Sequence, residues 1–198
     1  MSVIERGFYD RPALEVARDL LGCRLVRQLD GVRMAGLIME TEAYQGEDDL
    51  GCHAAAGRTP RTAVMYGPPG HAYVYFTYGK HWLLNAVTDQ EGTPAAVLIR
   101  AIRPIEGTDL MALNRPHLAQ KTGWTDGPAK LTQALGITGD FNKVDLSDPS
   151  SGLWIESGST VLDRNVKQTP RVGLNSVPEP WQSIPWRFVV VEVVNDGS

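Results

Sequence analysis

The sequence has few cysteines, no long apolar run and fewer basic than acidic residues. Its two cysteines, Cys23 and Cys52, lack CxxC spacing, which argues against a thiolate zinc site and favours two buried free thiols in a reducing compartment. No apolar stretch approaches the roughly 20 residues that cross a bilayer. The N-terminus carries acid and lacks the apolar segment of a secretory signal. We therefore predict a cytoplasmic protein that contacts no membrane.

The motifs of several large enzyme classes are also missing. No GxGxxG or Walker-type loop is present, so a nucleotide cofactor has no support. No GxSxG, Cys/His pair or HExxH occurs, which leaves triad and zinc hydrolases unsupported. His53 has no second histidine at metal-ligand spacing. We expect neither a cofactor nor a metal ion.

The charge is low overall but unevenly distributed. The net charge of −4 argues against a protein that binds nucleic acid over its whole surface, since such proteins are usually basic. Between Asp49 and Asp89, however, there is no acidic residue, and this stretch holds six cations and histidines: His53, Arg58, Arg61, His71, Lys80 and His81. The pattern fits a locally basic surface, although chance clustering on a solvated face would look the same.

The order of predicted elements indicates one domain, residues 1–198, because no repeat, linker or low-complexity tract interrupts the chain. One hairpin turns at Asp30-Gly31, and a second has its tip near Tyr78-Gly79-Lys80. Helices are predicted at "DRPALEVARDLLG", with Asp10 as N-cap, and at "TDLMALNR" and "DGPAKLTQALG". Further strands are "AAVLIRAIRP", "GLWIES" and "WRFVVVEVV". We predict an α+β fold with a curved, mainly antiparallel β-sheet, peripheral helices and a protruding β-hairpin.

The stretch "METEAYQG" places Glu40, Glu42 and Tyr44 on one face of a predicted strand. Paired carboxylates can divide general-acid and general-base work if their environments separate their pKa values. Alternatively, only one works and the other is an exposed or ion-paired bystander. The apolar residues before the pair indicate partial burial, which favours a perturbed acid.

Four of the six tyrosines fall within thirteen residues, from Tyr66 to Tyr78. On a strand, Tyr73 and Tyr75 share one face, while Val74 and Phe76 would pack on the other. Core packing accounts for Tyr73. An aromatic at an exposed hairpin tip, such as Tyr78, instead suits a wedge that enters a DNA duplex beside cations that meet phosphates.

Two polar residues interrupt apolar strands. Arg100 is the one charge in "AAVLIRAI", and burying a guanidinium alone costs several kcal/mol, so it needs a carboxylate or phosphate partner. A glutamate of the "METEAYQG" stretch is the obvious candidate. Asn85, in "HWLLNAV", should likewise have a directed hydrogen bond.

Several long segments, in order, resemble the alkyladenine (3-methyladenine) DNA glycosylase family. They are "ARDLLGCRLV", "METEAYQGEDDLGCHAAAGRTPR", "MYGPPGHAYVYFTYGKHWLLN", "AAVLIRAIRPIEG", "GPAKLTQALGI" and "WRF", and together they span nearly the whole chain. The resemblance implies a monofunctional base excision repair enzyme that flips alkylated or deaminated purines out of double-stranded DNA. It would hydrolyse the N-glycosidic bond as a monomer without a cofactor.

The same resemblance implies a role for individual residues. Glu42 would activate the attacking water, with Arg100 helping to hold it, while Glu40 has no catalytic counterpart. The flipped base would contact Tyr44, His53, Tyr75 and Asn85. Tyr78 would intercalate into the duplex, and the phosphate contacts would come from Arg58, Arg61 and Lys130.

Two other functions stay open from the residues alone. A glycoside hydrolase could use Glu40 and Glu42, although such pairs usually flank the bond from opposite sides, ~5–9.5 Å apart. A non-catalytic nucleic-acid-binding module would need only the stacking tyrosines and the basic rim.

Overall fold

An antiparallel β-sheet forms the framework of the protein, whose computed structural model describes residues 2–77, 79–115 and 123–191. Its eight strands in this part of the chain are β1 (Arg24–Leu29), β2 (Val32–Gln45), β3 (Ala72–Thr77), β4 (His81–Val87), β5 (Ala95–Glu106), β6 (Leu153–Glu156), β7 (Val166–Thr169) and β8 (Arg187–Val190). They lie in the order β3-β4-β5-β2-β1-β6, with β8 beside β2 and β7 beside β8. The predicted α+β class is confirmed.

The two predicted hairpins are present. β1 pairs with β2 through a tight turn in which Asp30 and Gly31 have φ angles of 49° and 80°. Positive φ at both positions is the requirement of a type I′ turn, which Asp-Gly meets at low cost. β3 pairs with β4 at the edge of the sheet. The predicted wedge, Tyr78, lies outside the described residues.

β2 is the longest strand and organises the sheet. Its first half pairs with β1, its second half pairs with β8, and β5 runs along its other side. The β2–β5 register shifts near Glu40, so that Arg100 has no partner on β2. Such a bulge bends the strand and redirects a side chain, and bulges are frequent near active sites.

Four helices lie in the described part of the chain: α1 (Arg6–Tyr9), α2 (Ala13–Asp19), α3 (Thr108–Leu113) and α4 (Pro128–Leu135). α2 begins later than predicted. Pro12 is its N-cap, while Asp10 instead follows the short helix α1, and neither helix has a side-chain cap. α4 ends at Gly136 as predicted, because this glycine adopts the left-handed conformation with φ 64°.

The two faces of the sheet have different roles. The main core packs helices α2 and α4 against alternate strand residues, including Ala43, Val74 and Val97. A smaller cluster on the other face contains Cys52, Val64, Met65, Tyr73 and Ala96. Both cysteines are buried and free, as predicted. Because strand side chains alternate, Glu42 and Tyr44 lie on the second face, away from the main core.

Phe76 departs from its predicted packing. Val74 is buried in the main core, but Phe76 on the same face is 46% exposed and contacts Trp82, with ring centroids 4.8 Å apart. Burial therefore decreases toward the end of β3, although the alternation of side chains continues.

Candidate active site

A cavity of about 350 Å³ opens on the second face of the sheet. This volume is within the usual range of small-molecule sites. Its walls come from β3, β4 and β5, from the 3₁₀ turn His53–Ala56, and from a segment that we name the strap, residues 171–174. The lining residues include Tyr44, Gly51, His53, Tyr75, Asn85, Arg100 and Val172.

Aromatic rings form one wall of the cavity. His53 meets Tyr75 edge-on at 4.6 Å between ring centroids, and Tyr73 lies 5.2 Å from Tyr75. His53 Nδ1 and the Tyr73 hydroxyl are hydrogen-bonded at 2.9 Å. Burial and the nearby Arg61 guanidinium lower the pKa of His53 to about 4, so this ring is neutral at neutral pH. The wall is therefore electron-rich and carries no histidine charge.

Glu42 lies directly behind the cavity wall with a side chain that is 0% exposed. Its Oε2 accepts hydrogen bonds from the Tyr44 hydroxyl at 2.8 Å and from Arg100 Nη1 at 3.2 Å. Its Oε1 accepts one from the Val172 backbone N–H at 2.7 Å. A carboxylate offers about four acceptor positions. One position on Oε1 is therefore left among the contacts of the described residues.

The environment of Glu42 sets the protonation states of two neighbours, Tyr44 and Arg100. Burial, followed by the Glu42 carboxylate, raises the pKa of Tyr44 well above its ordinary value. Burial acts to lower the pKa of Arg100, but the Glu42 and Glu40 carboxylates outweigh it and raise that pKa. Tyr44 therefore stays protonated as a donor, and Arg100 stays charged. The partner predicted for Arg100 is confirmed, and both glutamates supply it.

The strap is attached to the rest of the site by a buried ion pair. Arg171 Nη1 and Nη2 contact the two carboxylate oxygens of Asp49 at 2.5 and 2.7 Å, and both side chains are 0% exposed. The Arg171 guanidinium also lies 4.7 Å from the ring centre of Tyr44 and 5.1 Å from that of Trp186. This pair holds the adjacent Val172 N–H on Glu42.

Asn85, on β4, also lines the cavity. Its side-chain amide donates to the Tyr73 carbonyl oxygen at 3.0 Å, and the two residues are register partners in the β3–β4 hairpin. The predicted directed hydrogen bond is confirmed. This bond fixes the side chain, and its carbonyl oxygen accepts no hydrogen bond from the described residues.

Comparison with known proteins identifies the family to which the chain belongs. Residues 7–193 match the model of the methylpurine-DNA glycosylase family. The chain belongs to this family. It is therefore a DNA glycosylase, a hydrolase of N-glycosyl bonds that acts in base excision repair.

Curated relatives agree with the family. A protein of Methanocella arvoryzae is 50% identical over 188 residues, which cover 95% of this chain and 92% of the relative. A Carboxydothermus hydrogenoformans protein is 44% identical, with 94% of both chains covered, and a Myxococcus xanthus protein is 46% identical, with 96% and 91% covered. Each of the three bears the name "Putative 3-methyladenine DNA glycosylase".

Because the chain belongs to this family, the two other functions that the residues alone left open are excluded. A carbohydrate hydrolase is wrong, and Glu40 and Glu42 do not face each other across a bond, since both converge on Arg100. A non-catalytic binding module is wrong because the family is enzymatic. In the described residues no helix is long and apolar enough to cross a bilayer, and no cluster of three His, Cys, Asp or Glu side chains could hold a metal.

The predicted phosphate ligands of the glycosylase are all exposed. Arg61 is exposed at the cavity mouth, with its guanidinium 5.0 Å from the ring centre of Tyr75. Arg58 is exposed beside Tyr66, at 5.6 Å from its ring centre. Lys130 is exposed on α4 and ion-paired with Asp126. Their phosphate contacts stay predictions.

Sequence reasoning missed four residues of the site: Asp49, Arg171, Val172 and Arg187. Arg187 resembles Arg100 in its setting, because it is the first residue of an apolar strand, "RFVV", and this signal could have identified it. Arg171 lies in an irregular segment with no periodicity, and Val172 contributes a backbone group, so neither has a local signal. Glu40, taken as a bystander, contacts both Arg100 and Arg187.

Proposed function

We propose that the glycosylase removes alkylated purines from double-stranded DNA after extruding the damaged nucleotide into the aromatic cavity. 3-Methyladenine and 7-methylguanine are the substrates that the site fits best. The observation that supports this most directly is the fully buried Glu42 carboxylate. It contacts Tyr44, which lines the aromatic cavity. The names of the relatives point to the same lesion class.

A cationic purine suits this wall for an electrostatic reason. Alkylation at N3 or N7 makes the base positive, and a cation over an aromatic face gains about 0.5–2 kcal/mol per contact. Tyr44 and Tyr75 line the cavity. Each ring has a guanidinium on one face, Arg171 at 4.7 Å and Arg61 at 5.0 Å, so the cationic base would use the other face. His53 adds no repulsion because it is neutral at neutral pH. Hypoxanthine and ethenoadenine are neutral, so they lack this attraction and need a proton at the leaving base.

The chemical step requires an ionised Glu42. As the bond from C1′ to the purine nitrogen breaks, its electron pair neutralises the departing cationic base, and positive charge develops on the sugar. Water then bonds to C1′ and gives a proton to Glu42. General-base catalysis of this kind typically contributes about 10²–10⁴-fold. The product is an abasic site with both DNA strands intact.

Donors already surround Glu42 for this role. Arg100, Tyr44 and the Val172 N–H stabilise its charged form. The remaining acceptor position on Oε1 would receive the water. Because the side chain is completely covered, water reaches it only when Tyr44 or the strap moves, and in this proposal the entering base causes that movement.

Selectivity would come from Asn85 in the cavity wall, and DNA contact from Tyr78 and the exposed cations. Asn85 would meet the purine edge and reject normal guanine, since an unmatched polar group in a buried site costs affinity. Tyr78 would fill the gap left in the duplex. Arg58, Arg61 and Lys130 would contact phosphates, and the protein would act as a monomer.

The test is single-turnover excision from a duplex with one defined 7-methylguanine or 3-methyladenine. Glu42→Gln should bind this DNA with wild-type affinity and lose at least about a hundredfold in excision rate. Glu91→Gln, the same change at an exposed site, serves as the matched control. Near-normal excision by Glu42→Gln would remove Glu42 from the mechanism.

A further inference from the structure

Glu40 lies between two arginines in the sheet. Arg100 Nε and Arg187 Nε each donate to the same oxygen, Glu40 Oε1, at 2.6 Å. These side chains are largely buried, with exposures of 13% for Glu40, 13% for Arg100 and 25% for Arg187. Arg187 Nη1 also donates to the Thr169 hydroxyl at 3.1 Å, which anchors it to β7.

The distances show which glutamate orients Arg100. Its Nε lies 2.6 Å from Glu40, whereas its Nη1 lies 3.2 Å from Glu42. Short charge-assisted hydrogen bonds are the stronger ones. The bulge leaves Arg100 without a strand partner opposite, so its side chain depends on these contacts for its direction. The tighter contact is with the residue that does not reach the cavity.

We propose that Glu40 and Arg187 are positioning residues for base excision, which orient Arg100 and balance the charge around Glu42. This inference rests on the proposed function of Glu42. Two carboxylates and two guanidinium groups form a group with no net charge on β2, β5 and β8. Loss of either outer member leaves one unbalanced charge beside Glu42.

The other groups that face Glu42 are not altered when Glu40 or Arg187 is substituted. Among the described residues they are Tyr44 on the same strand, Tyr75 on β3, the Val172 N–H, and the Arg171–Asp49 pair behind Tyr44. None of these groups forms a hydrogen bond with the side chain of Glu40 or Arg187. A change in the pH dependence of excision would therefore report the altered charge.

The experiment measures single-turnover excision of one methylated purine from about pH 3.5 to 9, a range that includes the ordinary glutamate pKa of about 4.3. Glu40→Gln should reduce the maximal rate about ten- to a hundredfold, because Arg100 loses its orientation. It should also move the acid limb of the pH–rate profile down by about one pH unit, since removing a negative neighbour favours ionised Glu42. Arg187→Gln should move that limb up by about the same amount. The double variant should return it close to the wild-type position.

Two further variants separate charge from packing. Arg187→Lys keeps the charge without the Nε donor, so its limb should stay in place while its rate falls. Glu40→Asp also keeps the charge, so it should likewise leave the limb in place while its rate falls. If Glu40→Gln does not fold, the limb of Arg187→Gln tests the charge effect. Glu91→Gln controls for a charge change at an exposed residue outside the cavity lining.

The outcomes distinguish the two proposals. If wild-type protein excises no methylated purine, or if Glu42→Gln is as active as wild type, the proposed function fails. If those two behave as expected but the acid limbs of Glu40→Gln and Arg187→Gln coincide with that of wild type, only the positioning role is overturned. Opposite shifts that cancel in the double variant would establish it.

Discussion

The buried pair of Asp49 and Arg171 gives the sharpest test of how the site is held together. Asp49→Asn keeps the shape of the side chain and removes its charge. The Arg171 guanidinium then stays buried without a counter-ion, and the new amide N–H groups point at its donors. The carboxylate also accepts from the backbone N–H of Gly51 at 2.9 Å, so a second contact is weakened.

The magnitude follows from burial. Removing one partner of a buried ion pair typically costs about 3–5 kcal/mol, because the other charge is left uncompensated. For a protein of this length, each kcal/mol lowers the melting temperature by roughly 2–4 °C. We therefore expect Asp49→Asn to melt about 6–20 °C below wild type. The strap should loosen as well, which withdraws the Val172 N–H from Glu42 and slows excision.

Thermal unfolding and urea unfolding are followed by circular dichroism and by tryptophan fluorescence, because Trp181 and Trp186 lie next to Arg171. A matched control is Asp126→Asn, the same change in an exposed pair with Lys130. Exposed pairs contribute about 0–1 kcal/mol, so this variant should melt close to wild type. If Asp49→Asn loses less than about 1 kcal/mol of unfolding free energy, the Asp49–Arg171 pair does not hold the strap in place.

Two further predictions concern the same cavity. The folded pKa of His53, about 4, lies below its unfolded value of about 6.5, so the unfolded chain binds more protons between these values and stability falls as the pH drops through this window. His53→Gln should flatten that dependence in urea unfolding from pH 4.5 to 7.5, and an unchanged slope would assign it to other groups. A Cβ on Gly51 would lie 2.7 Å from Arg171 Nη2 and from Leu174 Cδ1, so Gly51→Ala should destabilise the protein by about 1–3 kcal/mol and slow excision. Gly7→Ala, with open space around the new atom, is the control, and equal melting temperatures for the two variants would contradict the steric argument.

The main features of the site were predictable because they depend on local rules. A period of two puts Glu42 and Tyr44 on one face of β2, and it does the same for Tyr73 and Tyr75 on β3. The cost of burying a lone guanidinium predicted a carboxylate partner for Arg100. The Asp-Gly turn and the Gly136 stop follow from backbone conformations that few other residues adopt.

Only the tertiary structure decided the contacts between residues that are distant in sequence. Arg171 meets Asp49 across 122 positions, and Arg187 meets Glu40 across 147. The bulge at Arg100 depends on how β5 pairs with β2, and no local pattern specifies a register shift. The sequence by itself determined which side chains can do chemistry and which face of a strand they occupy. The tertiary structure decided which charges neutralise one another. These ion pairs join strands and the strap from distant parts of the chain, and no periodic pattern in the sequence relates such distant residues.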